Sequence, residues 1–159
     1  MQTHATPLFR YACRLLHDEH AAQDVVQQVF IRFSQLEDAA KPATPATRSW
    51  LYRATHNKAV DWIRAEQRRR KAHNDHADLA LAETAHKEAT QRKHRHEDVM
   101  AHIQTLKENE RAVLLLRLQE GLSYREISEV TGLSEGNVGY LLHHAVSTLS
   151  QHLAPTVSS

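Results

Sequence analysis

Apolar side chains fall at helical spacing along most of the chain. Leu8, Tyr11, Ala12, Leu15 and Leu16 predict a first helix. Ala22, Val25, Val26, Val29, Phe30 and Phe33 predict a second, from about His20 to Leu36. Pro42 and Pro45 then break the pattern between Glu37 and Ser49. Each disfavours helix at the residue before it, so this stretch reads as a loop. A third helix starts near Thr47 and runs through an arginine cluster. At 100° per residue, Arg53, Asn57, Asp61, Arg64 and Arg68 share one wedge of about 80°, with Leu51, Thr55 and Trp62 opposite. Lys58 lies at the edge of the apolar side, where its stem can pack and its amine reach water.

From Ala72 to about Arg95 the chain is polar, alanine-rich and weakly patterned. Leu79 and Leu81 are too few to hold a core, so this segment is a linker. The last third regains helical period. Val99, Ile103 and Leu106 form one stripe, and Val113, Leu114, Leu116 and Leu118 a second, which Gly121 ends as a C-cap. Ser123 and Glu126 have the spacing of a capping box, Gly132 supplies a turn, and Ser134 caps a final helix. The buried stripe of that helix is Val138, Leu141, Leu142, Ala145, Leu149 and Leu153. Two helices joined by a glycine turn, the second longer, are the signature of a helix-turn-helix. A plain helical hairpin has the same outline. The fold class is therefore all-α: two small helical domains joined by a flexible linker, the C-terminal one containing the helix-turn-helix. The divisions fall at 1–71, 72–95 and 96–159.

The last helix exposes Glu135, Asn137, Tyr140, His143, His144 and Ser147, with no lysine or arginine between Glu135 and Leu149. Asn137 can read an adenine edge, and Tyr140 a thymine methyl or a phosphate. Arg111, Arg117 and Arg125 are the nearby sources of positive charge. The stronger electrostatic grip lies at Arg64–Lys71.

A formal net charge of +1 hides a sharp asymmetry. Leu15–Asp38 carries −4, from five acids against Arg32 alone, and Arg48–Lys71 carries +6, from eight bases against Asp61 and Glu66. Opposite signs on adjacent helices point to two partners or to one partner with two faces; mutual attraction of the helices is the plainer account. Cys13, the single cysteine, excludes an internal disulfide. No apolar run approaches ~20 residues, so no membrane insertion is expected, and the N-terminus lacks a signal-peptide pattern. A cytoplasmic location is the expectation. No nucleophile–base pair, phosphate loop or metal triad stands out, so neither catalysis, a cofactor nor a small-molecule substrate is expected. The histidines in and beside the linker, His73, His76, His94 and His96, lack a recognised ligand spacing, so no metal site is assigned.

Three segments together resemble bacterial RNA polymerase sigma factors of the extracytoplasmic-function type. AAQDVVQQVFIRF (21–33) is similar to the helix that binds core polymerase. RSWLYRATHNKAVDWIRAEQRRR (48–70) is similar to the helix that meets the minus-ten promoter element. LKENERAVLLLRLQEGLSYREISEVTGLSEGNVGYLLHHA (106–145) is similar to the module that reads the minus-thirty-five element. The resemblance implies polymerase contacts through Asp24, Gln27 and Gln28. It implies minus-ten contacts through Trp50, Arg53, Asn57, Arg64 and Arg68, and capture of a flipped base by the loop from Glu37 to Thr47. It implies minus-thirty-five contacts through Arg125, Glu135, Asn137, Tyr140, His143 and His144. The implied partners are core RNA polymerase, promoter DNA and an anti-sigma factor. Some family features are missing. Gln23 and Gln28 are neutral where acids are common, and Gly139, Leu141 and His144 stand where arginines are common. Gly136 and Gly139 would let the backbone approach DNA closely. Two other readings compete: a free-standing helix-turn-helix regulator, and a sigma-like adaptor that binds polymerase without opening DNA.

Overall fold

The computed structural model describes residues 2–38, 44–74 and 95–153. Among them α1 (Gln2–Leu16), α2 (Glu19–Gln35) and α3 (Thr44–Asn74) form the N-terminal module. The C-terminal module comprises α4 (Arg95–Thr105), α5 (Glu108–Leu114), a π-helical turn (Leu115–Gln119), α6 (Tyr124–Thr131) and α7 (Glu135–Leu153). The described residues thus form the expected two helical modules. Most of the linker, and with it His76 and His94, lies outside them.

The local signals have clear counterparts. Asp18, a cap not read from the sequence, starts α2 by accepting from Ala21 N at 2.9 Å. The stripes Leu8, Tyr11, Ala12, Leu15 and Leu16 of α1 and Ala22, Val25, Val26 and Val29 of α2 are buried. The third helix starts at Thr44, earlier than expected, with Pro45 in its first turn. A proline there loses no hydrogen bond that the helix would otherwise make.

In the C-terminal module Ser123 Oγ accepts from Glu126 N at 3.1 Å, Gly132 closes α6 at φ +80°, and Ser134 Oγ accepts from Asn137 N at 3.1 Å. Gly121 also takes a left-handed φ, +70°. The apolar run before it departs from simple helix geometry. The π turn places Glu120 N on Leu115 O, and the cap formed by Gly121 then places Leu122 N on Leu116 O. This longer repeat shifts the helical register. Leu114, Leu115 and Leu116 stay buried while Leu118, expected in the core, is 68% exposed.

The two modules are not held apart. α3 packs against α6, and α1 packs against the π turn and α5. One apolar core runs from Leu8 through Leu51 to Leu116, Ile127 and Val138. No helix among the described residues is long and apolar enough to cross a membrane.

Candidate nucleic-acid interface

The faces implied for partners can be located residue by residue. Asp24, Gln27 and Gln28 are all exposed on one side of α2, opposite its buried valines. Ile31, one turn further on, is 49% exposed on the same side.

On α3, Arg53, Asn57, Asp61, Arg64 and Arg68 are all exposed, while Leu51 and Thr55 are buried and Trp62 is half-buried. The wheel therefore assigned the faces correctly. Trp50 packs on Phe33 of α2, with ring centroids 5.4 Å apart. Its other surroundings are Arg32, Arg53, Ala54 and Asn57, which line a hollow of about 260 Å³. The hollow brings an aromatic face, an amide and two guanidinium groups together. That set can stack on a flat base, hydrogen-bond its edge and hold an adjacent phosphate. The loop expected to complete it falls partly outside the described residues, at 39–43.

The buried side of α3 carries its own polar pair. His56 Nδ1 and Tyr11 OH share a 2.9 Å hydrogen bond. Burial lowers the His56 pKa to about 4, with a smaller contribution from Arg64, so the ring is neutral at pH 7.

α7 exposes Glu135, Asn137, Tyr140, His143 and His144, and it keeps Val138, Leu142, Ala145 and Leu149 buried. Tyr140 and His144 stack with centroids 6.3 Å apart and planes within 20°. His144 Nδ1 lies 2.8 Å from Glu110 Oε1. Of the three arginines credited with supplying charge, two remain near the surface. Arg125 is well exposed beside Glu129, and Arg117 lies over the Tyr124 ring at 5.2 Å. Arg111 is instead turned into the interior, where Nη1 donates to Gln104 O at 3.4 Å and Nε is buried without a hydrogen bond. Burial lowers its pKa. Arg111 is thus half-buried within its module.

Sequence reading missed Glu120. Its side chain is 2% accessible and sits at the junction of the modules. Arg10 Nη2 donates to it at 3.0 Å, Tyr52 OH at 2.7 Å and Gln119 Nε2 at 2.6 Å. Arg48 donates to the Glu120 carbonyl at 2.8 Å, and Arg14 also bonds Gln119. Burial opposes ionisation of Glu120, but the hydrogen bonds from Arg10, Gln119 and Tyr52 outweigh it and hold the carboxyl below its usual pKa. Arg10 and Tyr52 lie 110 and 68 residues away in sequence, so no local pattern could reveal the cluster.

The chain matches the family described as Sigma-70 region 2 over residues 1–69 and that described as Sigma-70, region 4 over residues 96–149. It is 30% identical over 152 residues to the ECF RNA polymerase sigma factor SigL of Mycobacterium tuberculosis, covering 92% of this chain and 82% of that one. The chain belongs to the ECF RNA polymerase sigma factors. It is also 32% identical over 156 residues to the ECF RNA polymerase sigma factor SigE of Mycolicibacterium smegmatis. That match spans 97% of this sigma factor but 60% of the relative's length. The same fold occurs in the sigma factor RpoE of Bartonella quintana, solved in complex with the anti-sigma factor NepR. The match has a TM-score of 0.72 at 16% identity, over 96% of this chain and 93% of that one. The two matched regions coincide with the two helical modules, and the exposed rows on α3 and α7 lie one in each.

Proposed function

We propose that this sigma factor binds core RNA polymerase and directs it to promoters through contacts from both modules. Asp24, Gln27 and Gln28 on α2, with Ile31, form the polymerase-binding side. The hollow around Trp50, Arg53 and Asn57 takes a base from the opened minus-ten strand, and Arg64 and Arg68 follow the backbone. Glu135, Asn137, Tyr140, His143 and His144 on α7, with Arg125, face the minus-thirty-five element. An anti-sigma factor that occupies these faces would silence the protein.

The observation that carries this reading is the hollow beside Trp50. An aromatic, an amide and two arginines converge there on the same module as the polymerase-facing side of α2. A helix-turn-helix regulator has no use for such a hollow.

The deciding experiment is promoter-dependent transcription with purified core enzyme, comparing duplex templates with templates pre-opened at the minus-ten element. Trp50→Ala should lower initiation on duplex DNA by at least tenfold and recover much of it on the pre-opened template. Equal losses on both templates would show that the hollow serves binding alone. Tight sequence-specific duplex binding by the isolated chain would support a free-standing regulator instead.

A further inference from the structure

The recognition helix contains no lysine or arginine between Glu135 and Leu149, yet one of its side chains is held unusually firmly. His144 Nδ1 lies 2.8 Å from Glu110 Oε1. Glu110 sits in the first turn of α5 and is 6% exposed. His144 is half-exposed, with 53% of its side chain accessible. A carboxylate at that distance accepts from Nδ1, so Nδ1 carries hydrogen whether or not the ring is charged. The Tyr140 ring, one turn earlier, lies nearly parallel to the imidazole. The carboxylate thus fixes which edge of the ring turns inward, and the phenol fixes the plane.

We propose that Glu110 is a positioning residue for promoter reading: it locks His144 with Nε2 outward, making that nitrogen the atom offered to a base edge in the minus-thirty-five element. The proposal rests on the reading of α7 as the helix that faces this element. Without the carboxylate, a neutral imidazole can hold its hydrogen on either nitrogen and present a donor as easily as an acceptor. With it, the neutral ring offers an acceptor alone. In the major groove, acceptors pair with the exocyclic amines of adenine and cytosine, whereas arginine selects guanine. This chain therefore selects an amine-bearing edge at the position His144 meets. The burial of Glu110 excludes water that would compete for its oxygens, so one contact suffices to hold the tautomer.

Two measurements test the proposal. In the full chain with ¹⁵N-labelled histidine, long-range ¹H–¹⁵N correlation reports which ring nitrogen bears hydrogen. His144 should be the Nδ1–H form in the native protein, and Glu110→Ala should shift it toward Nε2–H. A native Nε2–H form overturns the proposal. The second measurement uses reconstituted holoenzyme and promoters randomised in the minus-thirty-five element. The native protein should favour adenine or cytosine at one position by about fivefold, the scale of one net hydrogen bond. His144→Ala and Glu110→Ala should each erase that preference, with the double variant no worse than either. Glu110→Gln, whose amide keeps the packing but can either accept from Nδ1 or donate to it, should weaken the preference without abolishing it. Loss with His144→Ala but not Glu110→Ala overturns the positioning role, and a native preference for guanine overturns the acceptor assignment. Indifference to the minus-thirty-five sequence overturns the reading of α7 and the proposal with it. Loss of all initiation by the native holoenzyme overturns the broader functional reading, whatever tautomer is observed.

Discussion

At the scale of single residues, the most informative group is a histidine buried inside the N-terminal module. His56 is 5% exposed, bonded to Tyr11 and held to a pKa of about 4 by burial. In the unfolded chain it titrates near pH 6.5. Its folded value is depressed, so the unfolded state takes up a proton first as pH falls. Stability is full above about pH 6.5, falls through the window down to about pH 4, and levels off below. A shift of that size corresponds to about 3 kcal/mol, at 1.36 kcal/mol per pH unit. Urea unfolding across pH 4–8 should show this slope, and His56→Gln should flatten it while keeping a neutral partner for Tyr11. An equal slope in the variant would place the acid sensitivity elsewhere. Glu120 titrates in a lower window: its depressed pKa gives stability that is present above the ordinary carboxylate range and is lost only as pH falls below it.

At the scale of elements, the caps and turns of the C-terminal module decide the geometry of α7. Gly132 at φ +80° is the sharpest constraint there. Gly132→Ala should cost about 1–2 kcal/mol in thermal or urea unfolding, because a Cβ is strained in that conformation. Gly136 offers a contrast. A Cβ added there would meet nothing within 4 Å, and the residue lies in the first turn of α7. Gly136→Ala should therefore stabilise the fold by up to about 1 kcal/mol. If close backbone approach is its purpose, the same variant loses use of the minus-thirty-five element; unchanged promoter use would mean the glycine serves no such approach. These features were legible because each depends on residues within four positions of one another. Ser123, Gly132 and Ser134 announce themselves, and so does the polar row from Arg53 to Arg68. The π turn was not legible. A one-residue change in repeat depends on what packs around it, and it carried Leu118 out of the core and Leu115 into it. Arg111 misled for a related reason: its charge suggested surface, whereas its place on α5 turned it inward among groups supplied by α1 and α4.

At the scale of the whole molecule, the two modules form one packed body. Sequence pattern defines each module and says nothing of the seam, because the hydrogen bonds there join residues 68 to 110 positions apart. Across the seam Arg64 of α3 shares a cleft of about 450 Å³ with Tyr140, Leu141 and His144 of α7. The seam combines apolar burial with a carboxylate whose donors come from both sides. Removing Arg10 takes away the cation beside the Glu120 carboxylate and leaves Tyr52 and Gln119 as its donors, whereas replacing Glu120 by Gln lets Tyr52 and Arg10 keep weaker bonds to a neutral oxygen. Because Arg10 is 42% exposed, Arg10→Met should cost only about 1–2 kcal/mol and Glu120→Gln less, and the double variant should cost less than the two single losses added together. The cost should appear as a change in cooperativity. With the seam weakened, unfolding followed by a fluorophore near Trp50 and one near Tyr140 should separate into two transitions, where the native chain shows one. Small-angle scattering should show the same loosening as a larger radius of gyration for Arg10→Met at pH 7. Coincident transitions and an unchanged radius would mean that the apolar core shared by Leu51, Leu116 and Ile127 holds the modules together without the polar cluster.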